Sequence, residues 1–181
     1  MHSISPPEHD LEQLARLFYP SLASLGRFTQ VAAAEMPANY QRLLNHEHHM
    51  TVTVEEFHGC PVDVQVLDRH RTDSHYARKI LLVRQSDRTV VQYGIMRVHW
   101  RYLDPAVRAG VEDESLPLGR IFIQHNVHRA IALRGLWRVN PGVELCHFFG
   151  LPPDGMTYGR TALILCDHEP AIELLEIVAP C

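Results

Sequence analysis

Apolar positions along this chain change their period about a quarter of the way in. Over Glu8 to Leu17 they recur at helical spacing, through Leu11, Leu14, Ala15, Leu17 and Phe18, and Pro20 interrupts the run. Tyr40, Leu43 and Leu44 share one side of a second short helix predicted over Pro37 to Leu44. From Met50 the period becomes two. Met50-Thr51-Val52-Thr53-Val54 alternates and is β-branched, and Val62, Val64, Val66 and Leu67 form another strand-like run. Tyr76 to Val83 and Thr89 to Val98 flank Gln85-Ser86-Asp87-Arg88, which predicts an antiparallel hairpin. Asp104 and Pro105 can cap and open a helix that stops at Gly110, and Pro117 can open another over Leu118 to Ile123. Strand-like pieces fill Val127 to Pro180 between breaks at Gly135, Pro141, Gly150, Pro152-Pro153 and Gly155, and Tyr158 to Pro180 looks like a closing hairpin.

Adjacent hairpins without long crossover helices predict an α+β fold built on an antiparallel β-sheet with covering helices. A length of 181 residues fits one domain over 1–181, helical through residue 45 and a sheet with inserted helices over 46–181. The formal charge of −4 argues against nucleic-acid binding driven by bulk charge, and neither early helix is basic. No apolar run reaches 18 residues, so no membrane span is expected. Met1 to Asp10 is polar and contains proline, unlike a signal peptide, which makes the cytoplasm the default location. Cys60, Cys146, Cys166 and Cys181 are widely spaced with no C-x-x-C pair, so reduced thiols are expected. No glycine-rich phosphate loop follows a strand.

Thirteen histidines are unusual for this length, with clusters at His46, His48 and His49 and at His125 and His128. Asn45-His46-Glu47-His48-His49 lacks the one-turn spacing of H-E-x-x-H, and matched carboxylate or thiolate ligands are missing. Solvated or capping histidines are the simpler reading, and no metal is expected.

Two side chains carry the candidate chemistry. In a strand, Tyr76, Arg78 and Ile80 share one face while Ala77, Lys79 and Leu81 share the other, so one basic residue must point with core neighbours. A guanidinium is the better buried cation, because its fork grips a carboxylate with two parallel hydrogen bonds. On the last strand Leu174, Glu176 and Val178 share a face opposite Glu173, Leu175 and Ile177. A buried glutamate there could hold a proton at neutral pH. Tyr158 and Arg160 share a strand face, with Tyr158 expected in the core, and Arg97 and His99 are expected to be exposed. Pro117-Leu118-Gly119 would offer free amides at a helix start.

Taken in order, these segments resemble the chorismate lyase (chorismate pyruvate-lyase, 4-hydroxybenzoate synthase) family and its relatives. Leu43-Leu44 with Met50-Thr51 is similar to the family's Leu-Leu…Met-Thr approach to the sheet. Tyr76-Ala77-Arg78-Lys79-Ile80-Leu81-Leu82 is similar to its Trp-Leu-Arg-Glu-Val-Leu-Leu strand. Pro117-Leu118-Gly119-Arg120 is the family's own tetrapeptide, and Tyr158-Gly159-Arg160 to Pro170 resembles its Trp-Gly-Arg…Pro hairpin. Leu175-Glu176 to Pro180 resembles its closing strand, with one extra residue between Pro170 and Glu176. The likeness covers about Leu43 to Pro180 and implies a closed internal ligand pocket.

The resemblance further implies a cofactor-independent carbon–oxygen lyase that converts chorismate to 4-hydroxybenzoate and pyruvate. By position, Arg78 is then the residue for the ring carboxylate and Glu176 the acid–base group on the hydroxyl side. The Leu118 amide and the backbone near Met50 complete the substrate contacts. Two rivals stand beside this expectation. The same fold type serves as an effector-sensing domain in transcription regulators, which would make this chain a non-catalytic binder of a small aromatic acid. Fewer than fifty residues, none strongly basic, precede the sheet, which speaks against a DNA-binding module within the chain. The other rival is a metal enzyme built on the histidine clusters. The oligomeric state is left open.

Overall fold

A computed structural model describes residues 7–181. The polar start of the chain, Met1 to Pro6, lies outside the described residues. Seven strands form one sheet: β1 (Gly26–Gln30), β2 (Val62–Arg71), β3 (His75–Arg84), β4 (Val90–His99), β5 (Arg129–Pro141), β6 (Thr157–Cys166) and β7 (Glu169–Val178). Their spatial order is β1-β5-β6-β7-β4-β3-β2, and every neighbouring pair is antiparallel. The expected α+β class is therefore observed. The hairpin from β6 to β7 turns at Asp167 and His168, both at positive φ (49° and 69°), the backbone that matches the twist of a two-residue hairpin.

Helices cover both faces. On one face α1 (Pro7–Arg16), α2 (Leu22–Leu25) and α7 (Val143–Phe149) bury Leu11, Leu14, Leu25 and Leu145 against Leu81, Tyr93, Ile95, Trp137, Leu175 and Ile177. The opposite face has two clusters. At one end α3 (Ala38–Leu44) and α4 (Met50–His58) pack Leu43, Leu44, Met50 and Val54 on Leu82, Val91 and Val178. At the other, α5 (Pro105–Asp113) and α6 (Leu118–Gln124) pack Val107, Val111, Ile121 and Phe122 on Met96, Val98, Ala162 and Ile172. Because both faces are covered, Arg78 and Lys79, adjacent on β3, are both buried. Arg78 faces the α4–α6 side, while Lys79 faces the α1–α7 side, where its ammonium meets Glu144 at 3.0 Å.

Four local readings of the sequence change. Met50 to Val54 is not a strand but the start of α4. Its buried residues, Met50, Thr51 and Val54, sit at helical offsets, and Gly59 ends it in the left-handed conformation (φ 59°). Burial of Met50 and Val54 outweighs the few tenths of a kcal/mol by which β-branched residues disfavour a helix. Gly110 does not stop α5, which runs on to Asp113; Asp104 does cap it, accepting from the Ala106 amide at 2.8 Å. The first 45 residues also supply a strand, β1, paired along the end of β5. Helix α7 interrupts what read as a purely strand-like stretch.

Leu14→Ala should lower the unfolding free energy by about 2–5 kcal/mol, because that side chain is fully enclosed between α1 and the sheet. Asp104→Ala should lose only about 1 kcal/mol, the value of one N-cap. Urea titrations of the two variants measure both, and a comparable loss at the two positions would contradict this description of the packing.

Candidate functional site

Strand registry places the site before any side chain is considered. Ile80, Gly94, Glu176 and Arg160 form one row across β3, β4, β7 and β6, and Arg78, Met96, Leu174 and Ala162 form the next. All these side chains leave the same face of the sheet. Gly94 contributes no side chain, which leaves a hollow in its row that the Ile80 side chain partly fills, 3.3 Å from where a Cβ would stand. The amino ends of α4 and α6 roof the hollow, and their backbones approach so closely that a Cβ on Gly119 would lie 3.1 Å from Thr51 Oγ1.

The cavity is lined by Met50, Arg78, Leu118, Arg160 and Glu176 together with apolar walls from Ile80, Met96, Ile131, Ile164 and Leu174. The structure thus gathers all four residues singled out in the sequence, Arg78, Glu176, Leu118 and Met50, around one chamber. Space open to the centres of water-sized spheres is ≈ 50 Å³. At about 10–15 Å³ per water in that measure, roughly four waters fit, which suits a single-ring ligand.

Two guanidiniums reach this chamber in different electrostatic states. Arg160 is matched: its Nε donates to Glu176 Oε2 at 2.7 Å, and its Nη1 donates to the His46 carbonyl at 2.8 Å. Arg78 is not matched. Only its Nη2 finds an acceptor, the Leu116 carbonyl at 3.3 Å, while Nε and Nη1 are buried without partners. Burial pushes the Arg78 guanidinium below its usual value, with Tyr76 and Glu114 pulling the other way. The Glu114 carboxylate is already taken by Tyr76 and Arg69. Arg78 is therefore a desolvated cation with no carboxylate of its own.

The histidine run proves to be part of the roof. His46 Nε2 lies 2.7 Å from the Leu43 carbonyl, and its Nδ1 accepts from the His48 amide at 3.1 Å. His49 caps the start of α4 with its ring edge-on to Phe122, and its Nε2 has no partner. Burial lowers both rings to about 4, helped by the positive charge of Arg160 at His46 and of Arg129 and Arg160 at His49. No group of three or more His, Cys, Asp or Glu among the described residues could hold a metal ion. Nor is any helix among them long and apolar enough to cross a membrane.

Three features escaped the sequence reading. Arg160 was placed on a strand face without a function, yet it carries the ion pair with Glu176. Gln92, 3% exposed, lines the chamber and leaves its Oε1 unpartnered. The third is the pairing of Arg97, which grips Glu173 on the opposite face together with His99 instead of standing exposed. Burial opposes ionisation of Glu173, but hydrogen bonds from His99 and Arg97 prevail and hold it at about 2. No period or motif announces such pairs, since the partners are more than fifteen residues apart. Tyr158, by contrast, is in the core as its pattern suggests, its ring tilted 48° to that of Tyr40 with centroids 4.6 Å apart.

No family model matches the chain, and no curated protein matches it in sequence. In shape it is similar to the effector domain of PhnF from Mycobacterium smegmatis, with a TM-score of 0.54 at 8% identity over 73% of this chain and 88% of that one. PhnF from the same organism gives a TM-score of 0.53 at 9% identity, over 72% of this chain and 63% of that chain. This chain thus spans less than two thirds of that longer protein. A GntR-family transcriptional regulator from Bacillus cereus overlaps 66% of this chain and 92% of its own at 13% identity, with a TM-score of 0.49.

The two PhnF structures share the fold and correct one expectation. The carbon–oxygen lyase implied by the sequence resemblance does not stand: the fold is shared with the effector domain of PhnF. Glu176 itself is paired with Arg160 at 2.7 Å.

Two outcomes follow from this geometry. Glu176→Leu strands the buried Arg160 guanidinium and should destabilise the protein by about 3–5 kcal/mol in urea unfolding; a loss under 1 kcal/mol would mean the pair carries little. The two roof histidines are held neutral, well below the 6.5 of an unfolded histidine. Between pH 6.5 and 4 the unfolded chain therefore takes up protons that the folded chain refuses. Stability should be full above pH 6.5 and fall as pH drops through that window, and His46→Gln with His49→Gln should flatten the fall in a thermal-unfolding series.

Proposed function

We propose that this chain is a non-catalytic, effector-sensing domain that binds a small aromatic carboxylate in the chamber beneath α4 and α6. One observation carries the reading: the Arg78 guanidinium is buried, points into an apolar chamber, and has two N–H groups with no acceptor. Leaving a buried charge unpaired costs several kcal/mol, which a ligand carboxylate offsets by accepting two parallel hydrogen bonds. The apolar walls and the room for roughly four waters favour one flat ring over a larger or highly polar ligand. Met50 and Leu118, at the starts of α4 and α6, bring main-chain groups to the same chamber, and Glu176 closes its far side. The fold shared with the PhnF effector domain supports sensing.

Thermal unfolding tests this reading. A ligand at a hundred times its Kd stabilises the folded state by about 2.7 kcal/mol, which for a domain of this size is a rise in Tm of roughly 5–10 °C. Benzoate in excess should produce such a rise, and benzamide, with the same shape but no charge, should not. Arg78→Met should remove the response to benzoate while raising the melting temperature of the ligand-free protein, since it deletes an unpaired buried charge. Equal responses to benzoate and benzamide, or a ligand-free Arg78→Met protein less stable than the original, would refute the proposal.

A further inference from the structure

Ile80 occupies the one place in the chamber where the sheet itself supplies no side chain. It is the register partner of Gly94 on the neighbouring strand. Its Cγ1 and Cδ1 lie 3.3 and 3.5 Å from where a Cβ on Gly94 would stand. Directly opposed Cβ atoms on antiparallel strands are about 4.5–5.5 Å apart. The isoleucine therefore leans across from β3 into space that a side chain on β4 would otherwise hold.

Its place in the wall is equally particular. The residues that line the chamber are buried, with two exceptions, Ile80 and Leu118. Ile131, Ile164 and Leu174, the other aliphatic walls, are 8% exposed or less and belong to the core cluster under α5 and α6. Leu118 packs against that same cluster from its margin, whereas Ile80 stands at the margin of the cluster under α3 and α4. The chamber can thus grow on the Ile80 side towards solvent without displacing core side chains, while growth on the other sides has to push into close-packed interior.

Resting on the binding reading above, the geometry points to Ile80 as the residue that determines the size of the acid this site accepts. With isoleucine in place, a carboxylate on a single ring fits and a carboxylate on two fused rings does not, because the space between Gly94 and solvent is already taken. A second fused ring adds four carbon atoms to the ligand, and Ile80→Ala removes three from the wall. One methylene too many in an apolar pocket typically costs about 10- to 200-fold in affinity, so a whole added ring is rejected by at least the lower figure.

Isothermal titration with benzoate and with 2-naphthoate, which bears the same carboxylate on two fused rings, tests the assignment. The unaltered protein should bind benzoate about tenfold more tightly or better. Ile80→Ala should tighten 2-naphthoate by about tenfold or more and weaken benzoate, which loses wall contacts. Ile80→Val, one carbon smaller than the original, should fall between the two and carries the test if the alanine variant does not fold. Adding Gly94→Ala to Ile80→Ala returns a methyl group to the same place from the neighbouring strand. It should take back part of the gain, which a general loosening of the fold would not allow. If the preference for benzoate is unchanged in Ile80→Ala and Ile80→Val, or the gain survives Gly94→Ala undiminished, another part of the wall sets the limit and the assignment falls. If the unaltered protein binds both acids equally, it falls as well, while the proposed carboxylate site stands. Absence of benzoate binding defeats the underlying reading together with this one.

Discussion

Arg160 is the bolt of this molecule. Its guanidinium rises from the centre of the sheet, takes the Glu176 carboxylate on one side and reaches the His46 carbonyl on the other. A single buried side chain thereby ties β6 and β7 to the segment that leads into α4. That segment carries His49 and the start of α4, which form the roof of the chamber. Neither ion could be buried alone, because the desolvation of each is tolerable only with the other in place and with the remaining N–H groups satisfied. The roof, the chamber and the position of α4 all follow from that one arrangement.

Against this satisfied pair, Arg78 stands out by contrast. Two arginines lie equally deep on the same sheet face, each 1% exposed. One has its counter-charge and its acceptors, and the other lacks both a carboxylate and two of its hydrogen-bond partners. A fold that can supply an ion pair at Arg160 and leaves Arg78 open within the same chamber has kept a cationic vacancy. An anion that filled it would lower the free energy of the folded state, which is how the proposed ligand would couple binding to stability.

Much of the frame was legible in the chain. The hairpin strands β3 and β4, the closing hairpin β6–β7, and the short helices after Asp104 and Pro117 all have local signals: alternation, a capping aspartate, a proline at a helix start. Arg78 and Glu176 could be singled out because a charge on an otherwise apolar strand face requires an explanation. Met50 to Val54 shows where such reasoning fails. Its alternation of β-branched residues is a good strand pattern, and only the packing of Met50 and Val54 onto Leu82 and Val178 selects the helix. That Arg78 and Lys79 are both buried was not legible for a related reason. A strand pattern tells which residues share a face, but not that both faces are covered.

The sequence by itself determined the antiparallel α+β class and the side of each strand on which a charge stands, and it singled out Arg78 and Glu176 without deciding their burial, because these readings depend on neighbours one to four residues away. Only the tertiary structure decided that Glu176 is committed to Arg160, that Arg78 is left without a carboxylate, and that Gln92 opens its carbonyl to the same hollow. Each of those facts is a pairing, or a missing pairing, between segments brought together by the sheet. Partners of buried polar groups are chosen by three-dimensional proximity in a medium where every unmet hydrogen bond matters, and no periodicity along the chain encodes them.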